Sequence, residues 1–358
     1  MNIEIILGSD LGPQQVAEIA VEAEKAGVRT LWHSNFPNDW DPFIGLVPAA
    51  LATHRIRLGV LAVSPYEMHP IRIANALVSL NELANGRAVL GLGGGGAVAL
   101  SIGNSPSGSA SLDFGKMRIV RGVREAAEII YRIASGKPNR GYQGQVFRVA
   151  RPFHLKFAKS PRPRIFTCSM GPQMLRMGGR IADGVQVGDV TPGRIGDAIS
   201  DIRLGLAKRA YPAEDFRIGN FWAWHIKKDR AASMFEARSQ LFARAEVIPP
   251  NIGLDHLVQA KVIDAAEAQL VRARFKNFLM AYVDGSGKVR DVPEDLVQRL
   301  IDEVSSSGTF DDIDREVERY REFERAGLTD LALRVFGGPM SAVKTIGERI
   351  VPHFSPTT

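Results

Sequence analysis

The sequence predicts an α/β protein in which parallel strands alternate with crossover helices, and three observations carry that expectation. Short apolar runs alternate with amphipathic stretches of helical period through the first part of the chain. The run LGVLAV, residues 58–63, is apolar throughout, which suits a strand covered on both faces. The segment RLGVLAVSPYEMHPIRIANALVSLNELANGRAVLGLGGGG, from Arg57 to Gly96, gives a strand, an abrupt turn, a helix, a second strand and a glycine cluster.

The elements follow in order. IEIIL is the first strand, and Pro13 to Ala26 is a helix whose leading proline has the φ that a first turn requires. RTLWH is the second strand and Pro42 to Thr53 the second helix. After LGVLAV, Pro65, Tyr66 and Pro70 force the chain out of the sheet, because proline cannot donate to a ladder. IRIANALVSLNELA then has helical period and is closed by Asn85-Gly86 as a C-terminal cap. Arg87 to Leu92 is a short apolar strand, followed directly by Gly93, Gly94, Gly95 and Gly96. Glycines at a strand's carboxyl end let the backbone approach a ligand closely.

Ala97 to Gly115 has no period and is rich in Ser, Gly and Asn, so it reads as a long loop over the active face. A helix from Lys116 to Ser135 and a Gly-bounded hairpin at YQGQVF come next. RIFTCS, GVQVG and FRIGNFWAWHIK are later strands; DLALRVF is the last, with a final helix after Gly337-Gly338-Pro339. Residues 229–328 exceed any ordinary connection and must hold helices of their own. SMFEARSQLFARAEV, DAAEAQLVRARFKNFLMAYV and DDIDREVERYREFERAG have the period for it. This helical insertion either adds stability, closes a substrate pocket or builds a dimer interface.

Composition narrows the function. At 45% hydrophobic and 23% charged the chain has the balance of a soluble protein, and no apolar stretch is long and charge-free enough to span a bilayer. The chain enters a strand at once, without a basic region and apolar signal core, so a cytoplasmic location is expected. The single cysteine, Cys168, excludes an internal disulfide and a cysteine zinc site, and no metal is expected. The net charge of +6 is dispersed, without long basic runs or interleaved aromatics, so neither nucleic acid nor membrane is an expected partner. Arg151, Lys156, Lys159, Arg162, Arg164, Arg176 and Arg180 read either as solvated surface or as a patch that attracts an anionic group.

The Arg57–Gly96 segment resembles the bacterial luciferase-like superfamily, which includes flavin monooxygenases and reductases using coenzyme F420, a deazaflavin. QVAEIAVEAEKAGVRTLW looks like its first helix and second strand, DPFIGLVPAALATHRIRLG like its second helix and third strand, and YQGQVF like its hairpin. TCSMGPQMLRMGGRIADGVQVG, with a Gly-Pro-x-Met turn and an Ala-Asp-Gly, is most similar to methylenetetrahydromethanopterin reductase and its deazaflavin-dependent relatives. The resemblance implies a single (β/α)8 TIM barrel over 1–358, with 229–328 inserted before the last strand, and a homodimer.

In such a barrel the active site lies at the carboxyl ends of the strands. That filter admits His33, Ser34 and Asn35, then Leu61 to Ser64, Gly93 to Gly96, Ser169 to Pro172, and His225. The resemblance implies a bulge with a cis peptide between two non-proline residues, Leu61 and Ala62 when counted back from Pro65. The cofactor ring rests on it, with Leu61, Ala62, Val63, Gly93, Gly94 and Gly95 as the binding residues. Ser169, Met170, Gly171 and Pro172 lead into a helix start, which suits a cofactor phosphate but also reads as a simple cap and turn.

This chain also departs from the pattern. Where many deazaflavin-dependent relatives carry Asp-His, and the sugar-phosphate dehydrogenases also a Glu, this sequence has Ser34-Asn35 and Gly96. A sugar-phosphate oxidation is therefore not expected, and Asn35, His225 and His33 become the catalytic candidates. Each histidine also reads as a core residue, and strand alternation turns His33 away from the site. The resemblance implies an oxidoreductase moving a hydride between coenzyme F420 and a small organic substrate. The alternatives are a two-component monooxygenase using FMN with a flavin reductase partner, and a flavin-binding protein without catalysis. Gly94 stands where luciferase-type enzymes place an arginine for the FMN phosphate, which argues against the first of these.

Overall fold

A computed structural model of the protein describes residues 1–95, 118–138, 140–210, 213, 215–244 and 252–354. The loop expected over Ala97 to Gly115, and Gly96, lie outside the described residues. The strands are β1 (Asn2–Leu7), β2 (Thr30–Ser34), β3 (Arg57–Val63), β4 (Ala88–Leu92), β5 (Tyr142–Gln143), β6 (Arg148–Val149), β7 (Arg164–Cys168), β8 (Gly184–Gly188), β9 (Arg217–Trp224), β10 (Ser305–Ser306) and β11 (Asp330–Val335). The fold is a (β/α)8 barrel: the long strands follow one another as β9, β11, β1, β2, β3, β4, β7 and β8, and β8 pairs with β9. β5 and β6 form the expected hairpin.

The chain divides into two compact units. One comprises Glu4–Gln186 and Ser200–Gly219. Its parallel ladder places Leu31 opposite Ile5 and Leu58, and Leu58 opposite Ala88. Alternation sends Leu31 and His33 to one face of the ladder and Thr30, Trp32 and Ser34 to the other. Trp32 packs against Phe166 at 5.9 Å between ring centroids. Glu4, 2% exposed, accepts hydrogen bonds from Thr30 Oγ1 at 2.6 Å, Trp32 Nε1 at 2.7 Å and Gln186 Nε2 at 3.3 Å. The glycines facing these large side chains make room for them. A Cβ on Gly59 would lie 2.1 Å from Trp32 Cε3, and one on Gly219 1.8 Å from Gln186 Oε1. Gly59→Ala is therefore expected to cost about 3 kcal/mol, read from the denaturant midpoint, since a closed core resists added volume.

The helix expected over Pro42 to Thr53 is two helices, Pro42–Gly45 and Val47–Ala52. Pro48 is the reason, because it has no N–H to bond the Ile44 carbonyl one turn earlier. The helix expected from Lys116 is described from Ile119 to Ala134. Its buried Glu125 accepts the backbone N–H groups of Gln145 (2.9 Å), Val146 (2.8 Å) and Phe147 (3.0 Å), tying the hairpin to the helix. Burial alone would raise its pKa, but these three bonds outweigh it and hold the carboxyl below its ordinary 4.5. A depressed folded value contributes stability above the unfolded value that is lost as pH falls through the folded one. E125A should cost about 2 kcal/mol at pH 7 and remove part of the acid-side loss of stability, checked by urea melts from pH 7 to pH 3.

The other unit comprises Met1–Ile3, Val187–Ile199 and Asn220–Thr358. Its helices Arg230–Gln240, Ile252–Gln259, Ala265–Ala273, Phe275–Val283 and Glu294–Val304 bury a shared apolar cluster that includes Leu254, Phe278, Leu296, Leu300 and Ile301. The run expected as one helix from Asp264 breaks at Arg274, without glycine or proline at the break. The Glu294–Val304 helix was not expected, although Leu296, Val297, Leu300, Ile301 and Val304 bury one face of it. No described helix is long and apolar enough to cross a membrane.

Candidate active site

Within the first unit, the carboxyl ends of β2, β3, β4 and β7 bring the expected site residues together. The β3–β4 register runs from Val60 opposite Leu90 to Val63 opposite Leu92, so β3 holds one extra residue. That bulge contains the Leu61–Ala62 peptide, which is cis as the resemblance implies. Val63 and Leu61 are buried while Ala62 is half-buried, and Gly93 N–H donates to Val63 O at 2.9 Å.

The glycines form a cradle against this bulge. A Cβ on Gly93 would lie 3.4 Å from Cys168 Cβ and 3.5 Å from Ala62 Cβ. One on Gly91 would lie 2.9 Å from both Cys168 Sγ and Leu61 Cβ, and one on Gly94 2.7 Å from Ile119 Cγ2. Gly95 takes a left-handed φ of 94°, a conformation open to glycine. Burial pushes the Cys168 thiol up to about 12, so the thiol beside the cradle stays protonated and is no nucleophile.

At the end of β7, Ser169 is 5% exposed and its Oγ has no hydrogen-bond partner, while its N–H donates to Gln186 O at 2.9 Å. The Pro172–Ile181 helix begins at Gly171 with no side-chain cap, and nothing lies within 4 Å of a Cβ placed on Gly171. An open helix start beside a buried, unpartnered hydroxyl suits a phosphate. Met170, 56% exposed, has an apolar side chain, so its backbone N–H is the group it offers a phosphate. The residues present therefore fit a phosphorylated ring cofactor.

Three residues of the basic cluster are held in ion pairs. Arg162 pairs with Asp183, Arg164 with Asp215 and Arg176 with Asp201. Arg164 also begins β7, at the end of that strand opposite Ser169. Asp183, bonded by Arg162 and by Ile165 N–H, holds the strand's entrance and is kept below the ordinary range by these bonds against its burial.

Asn35 donates from Nδ2 to Glu67 Oε1 at 2.7 Å and to Ala62 O at 3.2 Å. Sequence reasoning missed Glu67, although it stands just beyond β3 in the turn that leaves the sheet. Its Oε1 also accepts Ser64 N–H at 2.9 Å, its Oε2 is buried without a partner, and burial raises its carboxyl. His33 is fully buried on the other face of β2, its Nε2 2.8 Å from where a Gly45 Cβ would stand. The alternation argument places it there, away from Ala62 and Gly93.

In the second unit, His225 follows β9 and is 1% exposed. Its Nδ1 lies 2.9 Å from Glu236 Oε1 and its ring stacks on Phe336 at 4.8 Å. Glu236 Oε2 also accepts Lys227 Nζ at 2.8 Å and Gly337 N–H at 2.9 Å. Burial lowers the imidazole's pKa despite the carboxylate, and the charges of Arg244 and Lys227 act in the same direction. His225 is thus neutral at pH 7 and Glu236 ionised. Glu236 lies eleven residues on, in a separate helix, and no spacing rule marks it from sequence.

A parallel barrel whose strand ends combine a bulge, a glycine cradle and an open helix start has the layout of an enzyme scaffold with its site at the carboxyl ends of the strands. The chain belongs to the luciferase-like monooxygenase family, whose family model matches residues 5–330, and it is an oxidoreductase. It is 28% identical over 335 residues to a 5,10-methylenetetrahydromethanopterin reductase of Archaeoglobus fulgidus, covering 92% of each chain. Over 182 residues it is 31% identical to an F420-dependent glucose-6-phosphate dehydrogenase of Nakamurella multipartita, 48% of this chain and 51% of that one. The solved coenzyme F420 dependent tetrahydromethanopterin reductase of Methanopyrus kandleri shares the fold with a TM-score of 0.76 at 22% identity, over 99% of both chains.

Proposed function

We propose that the protein is a coenzyme F420-dependent oxidoreductase that transfers a hydride between the deazaflavin and a small organic substrate. The observation that carries this reading is the packing of Gly93 against Ala62 of the bulge and Cys168 of β7, next to the unpartnered Ser169 hydroxyl and an uncapped helix start. Leu61, Ala62, Val63, Gly93, Gly94 and Gly95 seat the ring. Ser169, Met170, Gly171 and Pro172 form the phosphate turn, in which the Ser169 hydroxyl and the N–H groups of the helix start donate while Pro172, which has no N–H, sets the turn. When bound, the deazaflavin supplies a carbon that accepts or delivers the hydride.

The chain's own residues orient and protonate. Asn35 holds the substrate beside the bulge, and His225, whose Nδ1–H donates to Glu236, keeps a free lone pair on Nε2 that takes up and passes on a proton. His33 has no part in this scheme. The names of the two sequence relatives support the reductase and dehydrogenase class. The chain is read as one domain with 229–328 as an insertion, acting as a homodimer.

A second reading, an FMN-dependent monooxygenase served by a flavin reductase, is favoured by the family's description. Against it, an arginine at position 94 would have to displace Ile119. Removing the proposed phosphate contact tests the choice: S169A is expected to weaken coenzyme F420 binding about tenfold, near the worth of one charge-assisted hydrogen bond. Unchanged affinity, measured by quenching of tryptophan fluorescence, would remove Ser169 from the phosphate site.

A further inference from the structure

The hydrogen bonds around Asn35 fix more than its position. Ala62 O is a backbone carbonyl and can only accept, so the amide group facing it is the NH2 and not the oxygen. Glu67 Oε1 already accepts Ser64 N–H, so it too acts as an acceptor toward Asn35. An amide has two N–H protons, and here one faces Ala62 O and the other Glu67 Oε1. What remains is Oδ1, which has two lone pairs and no partner among the described residues, on a half-buried side chain beside the bulge. Because both bonds to Glu67 fall on Oε1, any proton it takes up sits on Oε2, and the arrangement holds in either protonation state.

We propose that Glu67 is a positioning residue that locks Asn35 as a one-way acceptor, so that the site selects a ligand carrying a hydroxyl or N–H group at that point. This deepens the functional reading and rests on the bulge being the ligand seat. It points to alcohols or amines as the substrate form bound most tightly, ahead of the corresponding ketones or imines. An analogue without the donor leaves Oδ1 desolvated and unpaired.

Two measurements test it, each run with and without coenzyme F420. In nitrogen-15 labelled protein, the Asn35 side-chain amide, identified by its absence in N35D, should exchange with water at least about tenfold more slowly than that of exposed Asn38. E67A should abolish the protection, and E67Q should restore it, because the glutamine oxygen accepts the same two bonds. By ligand-observed NMR, cyclohexanol should bind wild type about tenfold more tightly than cyclohexanone, a ratio that falls toward one in E67A and returns in E67Q. Exchange as fast as that of Asn38, or no preference for the alcohol, including no detectable alcohol binding, would overturn the proposal. Failure of coenzyme F420 to bind would count against the functional reading instead, since the exchange pattern and the probe ratio are read without it as well.

Discussion

Replacing Gly93 with valine is expected to weaken coenzyme F420 binding by at least about a hundredfold while the protein stays folded, a loss near 2.7 kcal/mol. The Cβ itself is tolerated, since its nearest neighbours, Cys168 Cβ, Ala62 Cβ and Cys168 O, lie at 3.4, 3.5 and 3.6 Å. The two further methyl groups then occupy the cradle, where the ring needs backbone alone. Gly91→Val separates occlusion from misfolding, because its Cβ already meets Cys168 Sγ and Leu61 Cβ at 2.9 Å and so should lower Tm as well. Paired titrations and thermal melts of the two variants read both effects. An unchanged dissociation constant in G93V would mean that the ring is seated elsewhere.

The second large effect concerns His225. A neutral imidazole, oriented by a carboxylate at Nδ1 and buried to 1%, is built to exchange a proton at its other nitrogen. H225N is therefore expected to lower turnover by about a hundred- to a thousandfold, and E236Q by less, because it keeps the ring in place but weakens its basicity. The same variant has a signature in stability. The folded imidazole's pKa lies below its ordinary 6.5, for burial disfavours the charged form more than Glu236 favours it. As pH falls below about 6.5 the unfolded chain takes up a proton that the folded one refuses, so stability declines there. H225N should flatten that decline between pH 7 and pH 5. An unchanged slope in H225N would mean that the folded imidazole takes up its proton as readily as the unfolded one, contradicting the lowered pKa.

Much of this site was legible from the chain because its parts are local. The bulge is implied by the family resemblance, counted back from Pro65, while the cradle is marked by consecutive glycines and the proposed phosphate contact by a Ser-Met-Gly-Pro sequence before a helix. Each is a backbone requirement written in residues that meet it. The Pro42–Thr53 error was avoidable, since Pro48 stood in plain view. What the sequence concealed are pairings across distance. Glu67 meets Asn35 over 32 residues and Glu236 meets His225 from a helix whose own pattern speaks only of core and surface. The ion pairs of Arg162, Arg176 and Arg164 were hidden for the same reason, because Asp183, Asp201 and Asp215 lie up to 51 residues away. Local sequence specifies where backbone must be bare, whereas charge and proton chemistry depend on which helix and strand the fold sets side by side.

The most direct test of the central claim is a fluorescence titration of the purified protein with coenzyme F420 and, separately, with FMN, each oxidised and reduced. The proposed function requires tight binding of coenzyme F420 and weak binding of FMN, with S169A and G93V each impairing the former. A preference for FMN would contradict it and turn the search to oxygen-dependent chemistry with a reductase partner.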